Sequence, residues 1–113
     1  MAGQQITERP NMNPQRLDPK TVGETITVTF SFAAALVSGE AITTTNTIVV
    51  APYIGIDSSP SSMINGAASV DTVNGLILQS FKGGNAIVDY LLTASVTTNQ
   101  GRVLEDLAVL PVR

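Results

Sequence analysis

Carboxylates are the side chains of this 113-residue chain that come closest to a catalytic set. Two acids at a fixed separation are enough for the acid and base steps of glycoside hydrolysis. The acids available for such a pair in the later part of the chain are Asp57, Asp71, Asp89, Glu105 and Asp106. Glu105 and Asp106 are adjacent in a predicted strand, so their side chains point to opposite faces and this pair does not converge.

Nucleophilic and metal chemistry lack their usual residues. The chain has no histidine and no cysteine, which removes the common base for a serine nucleophile and most ligands for zinc, copper or non-haem iron. The serines of residues 58–62 have no lysine nearby to replace that base. Gly83 and Gly84 lack the Lys-Ser or Lys-Thr pair of a phosphate-binding loop. We therefore expect no enzymatic activity, no metal and no cofactor.

Charge and hydropathy argue against two classes of partner. The net charge is −3 and only 13% of residues are charged, without the clustered Lys and Arg that phosphate binding requires, so we expect no nucleic acid partner. No stretch of about 18 apolar residues predicts a membrane span. The first 15 residues lack the apolar core of a signal peptide. These features favour a protein that is kept in a cytoplasm or assembled into a particle there.

Residues 1–23 are predicted to form an extended N-terminal arm. They contain three prolines and show neither helical nor strand periodicity. The arm has three bases and two acids, whereas residues 24–113 have three bases and seven acids. One interpretation is a disordered terminus, and the other is a tail that becomes ordered against a partner, as in multi-copy assemblies. The expected organisation is this arm followed by one domain, 24–113.

The residues from 24 onward alternate with the period of strands. Residues 25–32, TITVTFSF, place hydroxyl side chains on one face and apolar ones on the other, which predicts a half-buried antiparallel strand. Residues 83–85, Gly-Gly-Asn, predict a tight hairpin between strands at 75–82 and 86–98. Residues 99–101 predict the turn into the last strand, 102–113. Glu105 and Asp106 break the alternation there, which predicts a bulge or an exposed edge.

Six or so short strands about ten residues apart, with turn signals between them, are typical of a sandwich. A barrel is the main alternative. Tyr90 lies at the start of a strand that leads through a hairpin into the last strand, and this resembles the tyrosine-bearing penultimate strand of immunoglobulin-like domains. The predicted fold class is all-β, an immunoglobulin-like antiparallel β-sandwich with an extended N-terminal arm.

Three segments carry a resemblance to a known family. They are ETITVTFSFAAALVSGEAI, then Asp57 with the SSPSSMINGAASV that follows it, and finally QSFKGGNAIVDYLLTASVTTNQGRVLEDLAVLPVR. A strand followed by an SGE turn, a serine-proline loop and the ending Y.L...VTT..GR.LE…LPV are similar to those of small tailed-bacteriophage virion proteins of the fibre-tail adaptor type. The resemblance covers residues 17–113 and leaves the arm before Leu17 unmatched. Its motifs are turns and core positions, so it implies no catalytic residues.

The resemblance implies a structural protein present in many copies in the virion, which is assembled in the bacterial host cytoplasm. The first expectation is a homo-oligomeric adaptor or collar component that links the head-tail connector or tail to fibres, with the connector, the tail fibre and copies of itself as partners. The alternative is a capsid decoration, or cement, protein on the lattice of the major capsid protein. A cell-surface or pilus adhesion module is disfavoured, because no export signal is seen.

The residues expected to contact partners lie in the arm and in the serine-proline loop. Those of the arm are Ile6, Arg9, Met12, Arg16 and Leu17, and those of the loop are Ser59, Pro60 and Met63. For the two methionines we expect gap-filling apolar contact, which an unbranched flexible thioether suits, and no special role of the sulfur.

Overall fold

The computed structural model describes residues 3–7 and 14–113, which form a sandwich of two four-stranded sheets. The strands are β1 (Gly3–Thr7), β2 (Gln15–Arg16), β3 (Thr25–Ser31), β4 (Ile42–Ile54), β5 (Ser69–Asp71), β6 (Leu76–Lys82), β7 (Val88–Thr98) and β8 (Val103–Val112). Two short 3₁₀ helices, Ala33–Ala35 and Pro60–Met63, lie in the connections on either side of β4. The predicted all-β sandwich is confirmed.

The sheet orders are β1-β3-β6-β5 and β2-β8-β7-β4. β1 runs parallel to β3 and β2 runs parallel to β8, while the other neighbours are antiparallel. With β3, β6 and β5 in one sheet and β4, β7 and β8 in the other, the strands follow the order of immunoglobulin constant-type sandwiches. This order favours the immunoglobulin-like assignment, which stays a prediction.

The core lies between the inner faces of the two sheets. On β3, Ile26, Val28 and Phe30 are buried while the threonines between them are partly exposed, as the alternating pattern predicts. Tyr90 and Leu92 of β7 are buried opposite them in the same apolar cluster. Burying each large apolar side chain of this kind contributes about 1.5–3 kcal/mol to the free energy of folding, so these alternating faces hold the sheets together.

The predicted hairpin between β6 and β7 is wrong. β6 pairs with β3 and β5, whereas β7 pairs with β4 and β8, so residues 83–87 carry the chain from one sheet to the other. Gly83 and Gly84 do have the positive φ that turn chemistry requires, +64° and +90°. A positive φ makes the chain turn, but it does not decide whether the next strand joins the same sheet.

Of the two alternatives predicted at Glu105 and Asp106, the bulge is wrong, whereas on the other side of β8 the described strand β2 pairs only with Ala108 and Val109. The pairing of β8 with β7 runs without a register shift, with Glu105 opposite Ser95 and Asp106 opposite Ala94. Glu105 is exposed and Asp106 is buried. The two carboxylates therefore lie on opposite faces of a regular strand, as alternation requires, and do not form a pair.

The registers define two ends of the sandwich. At one end, which we call the terminal end, β4, β6 and β8 finish and β3 and β7 begin. The residues paired there are Thr25 with Lys82, Ile54 with Asp89, and Val88 with Val112. Lys20 bridges to Val112 at this end, so the segment before β3 meets the C-terminal strand. The opposite end we call the far end.

An ion pair around a buried carboxylate closes the far end. The Glu40 side chain has no exposed surface and accepts hydrogen bonds from Arg102 Nε at 2.8 Å, from the Thr98 hydroxyl at 2.6 Å and from the Val37 N–H at 3.1 Å. Arg102 Nη2 completes the ion pair. These donors, the guanidinium first, lower the pKa of Glu40 to about 2. The pair joins the β3–β4 connection to the β7–β8 turn.

Candidate partner-binding surface

The arm residues predicted to contact partners have different positions. Leu17 is 4% exposed and belongs to the core, and its N–H donates to the Val109 carbonyl at 2.8 Å. Ile6 lies in β1, opposite Phe30 of β3. Arg9 and Met12 lie outside the described residues. The arm thus adds backbone pairing to both sheets, and its division from the domain at residue 23 stays a prediction.

Arg16 is tied to the body through Asp89. The Arg16 guanidinium donates to one Asp89 oxygen and the Arg113 guanidinium to the other, each at 2.9 Å. Burial of this carboxyl favours its neutral form, but the two guanidiniums outweigh that effect and hold the pKa of Asp89 below its ordinary value. The Asp89 carboxylate therefore links the arm, β7 and the C-terminal residue.

Lys20 fixes the last part of the arm, which leads into β3. Its side chain is buried, and Nζ donates to the carbonyls of Thr21 and Glu24 at 2.8 Å each. Burial lowers the pKa of Lys20, and the Glu24 carboxylate opposes that shift. The Lys20 N–H donates to Pro111 at 3.0 Å. The entry to β3 is thus fixed by both backbone and side chain.

The serine-proline loop is ordered by its own short-range hydrogen bonds. The Ser59 N–H donates to Asp57 Oδ1 at 2.8 Å, and Pro60 begins the 3₁₀ helix that ends at Met63. Ser59 is exposed and Pro60 half-buried. Met63 has no exposed surface and lies under Gly84, where an added Cβ would sit 3.2 Å from its sulfur. Of the predicted loop residues, only Ser59 and Pro60 reach the surface.

Tyr90 connects this loop to the crossover between the sheets. Its hydroxyl donates to Asp57 Oδ2 at 2.6 Å and accepts from the Asn85 N–H at 2.7 Å. The bond from Tyr90, followed by that from the Ser59 N–H, lowers the pKa of Asp57, while burial and the bond to Asp57 raise the pKa of Tyr90. This arrangement resembles the tyrosine corner of immunoglobulin-like sandwiches, in which a penultimate-strand tyrosine is bonded to backbone a few residues upstream, and it favours that prediction.

Three exposed isoleucines lie on two neighbouring segments. One segment is the end of β4 with the loop after it, and the other is the crossover between the sheets. Ile54, Ile56 and Ile87 are 58%, 88% and 79% exposed. A Cβ on Gly55 would lie 3.4 Å from the Ile87 carbonyl oxygen, and Asn85 Nδ2 donates to the Ile56 carbonyl at 3.4 Å. We call these three residues the isoleucine patch.

Ile87 also has an unfavourable backbone. Its φ is +64°, the one positive value at a non-glycine residue in the described part of the chain. The left-handed region costs roughly 1–2 kcal/mol for a residue with a Cβ, and a β-branched side chain suits it least. The Ile87 N–H donates to the Val112 carbonyl at 2.8 Å, which helps to hold this conformation. Because the Ile87 side chain is exposed, it gains little energy from apolar burial to offset this backbone strain.

The acids of the terminal end form hydrogen bonds and ion pairs within the fold. Within residues 3–7 and 14–113, no three or more Asp or Glu side chains are placed to hold a metal ion. The acids Asp57 and Asp89 are engaged in internal hydrogen bonds. No helix in the described ranges is long and apolar enough to cross a bilayer. The terminal end thus combines the exposed isoleucine patch with acids whose hydrogen bonds lie within the fold.

Sequence reasoning missed the isoleucine patch and the role of Asp89. The sequence IGID, residues 54–57, carried a signal, because Gly55 between two isoleucines next to a turn exposes both. Ile87 carried none, because its residue type disfavours the conformation it adopts. Asp89 was considered only as a catalytic acid, and its partners are distant in sequence.

Comparison with known proteins gives one family. The family model described as podophage GP4 fiber-tail adaptor protein gp77 matches residues 20–111. The matched region begins at the buried Lys20 and includes the isoleucine patch, the serine-proline loop and the far-end ion pair. No curated protein and no solved structure gives a significant match.

Proposed function

The chain belongs to the podophage fiber-tail adaptor family, and on that premise we propose that it is a multi-copy adaptor or collar component that links the connector or tail to the fibres. The resemblance predicted from the sequence is confirmed by the match over residues 20–111. Membership indicates a phage structural protein that binds other phage structural proteins such as a tail fibre. The collar role, the copy number and the surface used are the proposal.

The isoleucine patch is the observation that carries the proposed contact surface. Single exposed apolar residues are ordinary, and here three of them lie on two neighbouring segments of the chain. Ile56 and Ile87 are each more than three-quarters exposed, and Ile87 carries backbone strain that its burial in the fold does not offset. Strain retained at an exposed residue supports a functional reason for it. Burying these side chains against a partner provides that reason.

Hydrogen bonds and ion pairs join the segments of the terminal end, which suits a joint between larger parts. Tyr90 fixes the start of the serine-proline loop to the crossover, and Asp89 joins the arm to the C-terminal residue. A surface fixed before binding loses little conformational freedom when it binds. Its main acids are already paired inside the fold, so burying the surface desolvates few unpaired charges.

The arm and loop residues take different parts in this proposal. Arg16, Ser59 and Pro60 reach the surface and would form the polar rim of the contact. Leu17 and Met63 support that surface from the core. Ile6, Arg9 and Met12 remain proposed contacts of the N-terminal segment.

Binding of the purified chain to the tail fibre protein of the same phage tests the surface. Ile56→Asp places a charge in the centre of the patch and should weaken binding at least about tenfold, because hot-spot changes cost more than about 1.4 kcal/mol. Val73→Asp is the matched control, since Val73 is 91% exposed at the far end. Equal affinity of Ile56→Asp and the unchanged chain would remove the patch from the interface.

Copy number per particle tests the collar role separately. Quantitative mass spectrometry of purified virions should count about a dozen chains or fewer, as expected for a ring at the neck or tail. A count in the hundreds would instead identify the capsid decoration protein that the sequence left as the alternative.

A further inference from the structure

The longest strand of the fold is an edge strand with little of the usual protection. β4 has 13 residues, ITTTNTIVVAPYI, none of which is charged. In its sheet it pairs with β7 on one side and, among the described residues, with nothing on the other. Edge strands of monomeric proteins are commonly short or carry lysines and inward-pointing charges that prevent pairing with another chain. Proline and bulges also protect an edge, and β4 has Pro52 and register shifts with β7 near both ends. It is long and carries no charge, so its middle, between the shifts, is left without such protection.

The middle of β4 is regular. From Thr47 to Pro52 its residues pair one by one with β7, without a shift. Val50 is buried and Ile48 packs against the core, whereas Val49 is 48% exposed on the outer face. This stretch is long enough to form a ladder with a further strand.

An uncharged groove runs beside the edge. It has a volume of about 550 Å³ and lies between β4 and the segment leading to β5. Thr45, Ile48, Ile64, Ala68 and Val70 are among its lining residues. The Thr45 hydroxyl oxygen is buried there and has no hydrogen-bond partner in the described part of the chain. A buried hydroxyl without a partner is costly, so a further polar contact at this groove would stabilise the chain.

We propose that β4 pairs antiparallel with the β4 of a second copy, so that two sandwiches share one continuous sheet across a twofold axis. Continuity requires that outer-face residues oppose outer-face residues. Val49 opposite the partner's Val49 meets this condition and buries the two exposed valines against each other. Ile48 then lies opposite the partner's Val50 on the inner face, and the two uncharged grooves adjoin.

Charge favours a second copy as the occupant. A symmetric antiparallel pair brings the same strand against itself, and like charges opposite each other destabilise such a pair. β4 and the named groove residues carry no charge, so self-pairing meets no repulsion, and a charged peptide would find no complement there. Twofold pairs are the commonest oligomers. The proposed pair is centred on Val49 within the regular stretch Thr47–Pro52, whereas the isoleucine patch begins at Ile54, beyond the last register shift of β4. The inference therefore does not depend on the proposed fibre contact.

Site-directed crosslinking tests the pair and its register. The chain has no cysteine, so Val49→Cys introduces one thiol. Across the proposed axis the two Cα atoms would lie about 4.5–5.5 Å apart, within disulfide range. Mild oxidation should give a disulfide-linked dimer with Val49→Cys, and Val73→Cys is the control that should remain monomeric. No dimer with Val49→Cys, or equal dimer with both variants, would overturn the inference.

Sedimentation of the full chain tests the pair without a covalent bond. The unchanged chain should be dimeric at micromolar concentration, and Val49→Lys, which opposes two lysines across the axis, should weaken the dimer at least about tenfold. Val73→Lys should leave it unchanged, with circular dichroism checking the fold of each variant. Ile56→Asp should stay dimeric, which separates this interface from the fibre contact. An unchanged chain that stays monomeric at high concentration would refute the pairing.

Discussion

Arg102 and Glu40 lie 62 positions apart in the chain and form an ion pair around a fully buried carboxylate. Glu40 belongs to the SGE turn and Arg102 to the GR segment, two of the motifs that carried the family resemblance. Their contact joins the two motifs in space, since each supplies half of the ion pair that closes the far end.

Stability should fall in acid because of Glu40. Its pKa is lowered from 4.5 to about 2 in the folded chain. A carboxyl with a lowered folded pKa adds stability that is fully present above its unfolded pKa and is lost as the pH falls towards the folded value. Urea unfolding between pH 6 and pH 2 should show this loss below about pH 5. Glu40→Gln should be less stable at pH 6 and should lose less stability on acidification, whereas parallel curves for the two chains would contradict the assignment.

Leu17 should contribute to the stability of the domain even though it lies in the predicted arm. Leu17→Ala removes a side chain that is part of the core, and such changes lower the free energy of unfolding by about 2–5 kcal/mol. Val22→Ala, in the same segment but with a largely exposed side chain, should change it by about 0.5 kcal/mol or less. Equal effects of the two changes in urea unfolding would mean that the arm does not dock as described.

Tyr90→Phe should loosen the serine-proline loop. The change removes the donor to Asp57 and leaves the Asn85 N–H without its acceptor, which should lower the free energy of unfolding by about 1–3 kcal/mol. The pKa of Asp57, read by NMR titration, should rise towards its ordinary value. Tyr53→Phe is the control, since its side chain is exposed. An unchanged Asp57 pKa in Tyr90→Phe would show that the hydroxyl does not govern the loop.

Ile87→Asn should separate stability from binding. Asparagine tolerates positive φ far better than isoleucine, so the variant should be as stable as the unchanged chain or more stable by up to about 1 kcal/mol. Loss of apolar surface should weaken fibre binding at the same time. Thermal unfolding and a binding titration on one preparation measure both quantities. A clear loss of stability with intact binding would reverse the role given to Ile87.

Local pattern predicted the strands β3, β6, β7 and β8 and the inner face of β3, but it did not predict β1 and β2, because residues 1–23 show no strand periodicity. The alternation at residues 25–32 correctly placed Ile26, Val28 and Phe30 inside, because side-chain direction in a strand depends only on a period of two. The same information could not decide the sheet that each strand joins. Residues 83–85 turn the chain equally well into a hairpin or a crossover, and the choice depends on partners far along the chain.

The terminal end was less predictable because its contacts are long-range. Asp89 meets Arg16 and Arg113, which are 73 and 24 positions away, and no spacing rule connects them. Prolines and mixed charge made residues 14–20 look detached, although the segment forms backbone hydrogen bonds to β8. Ile87 adopts a conformation that its residue type disfavours, so propensity indicated the opposite of what the fold contains.

Electron cryomicroscopy of the intact virion tests the central claim most directly. The account predicts sandwich-shaped density between the tail and the fibres, with the terminal end and Ile54, Ile56 and Ile87 turned towards the fibre. Sandwiches spread over the capsid shell, or a ring in which these three isoleucines face solvent, would contradict it.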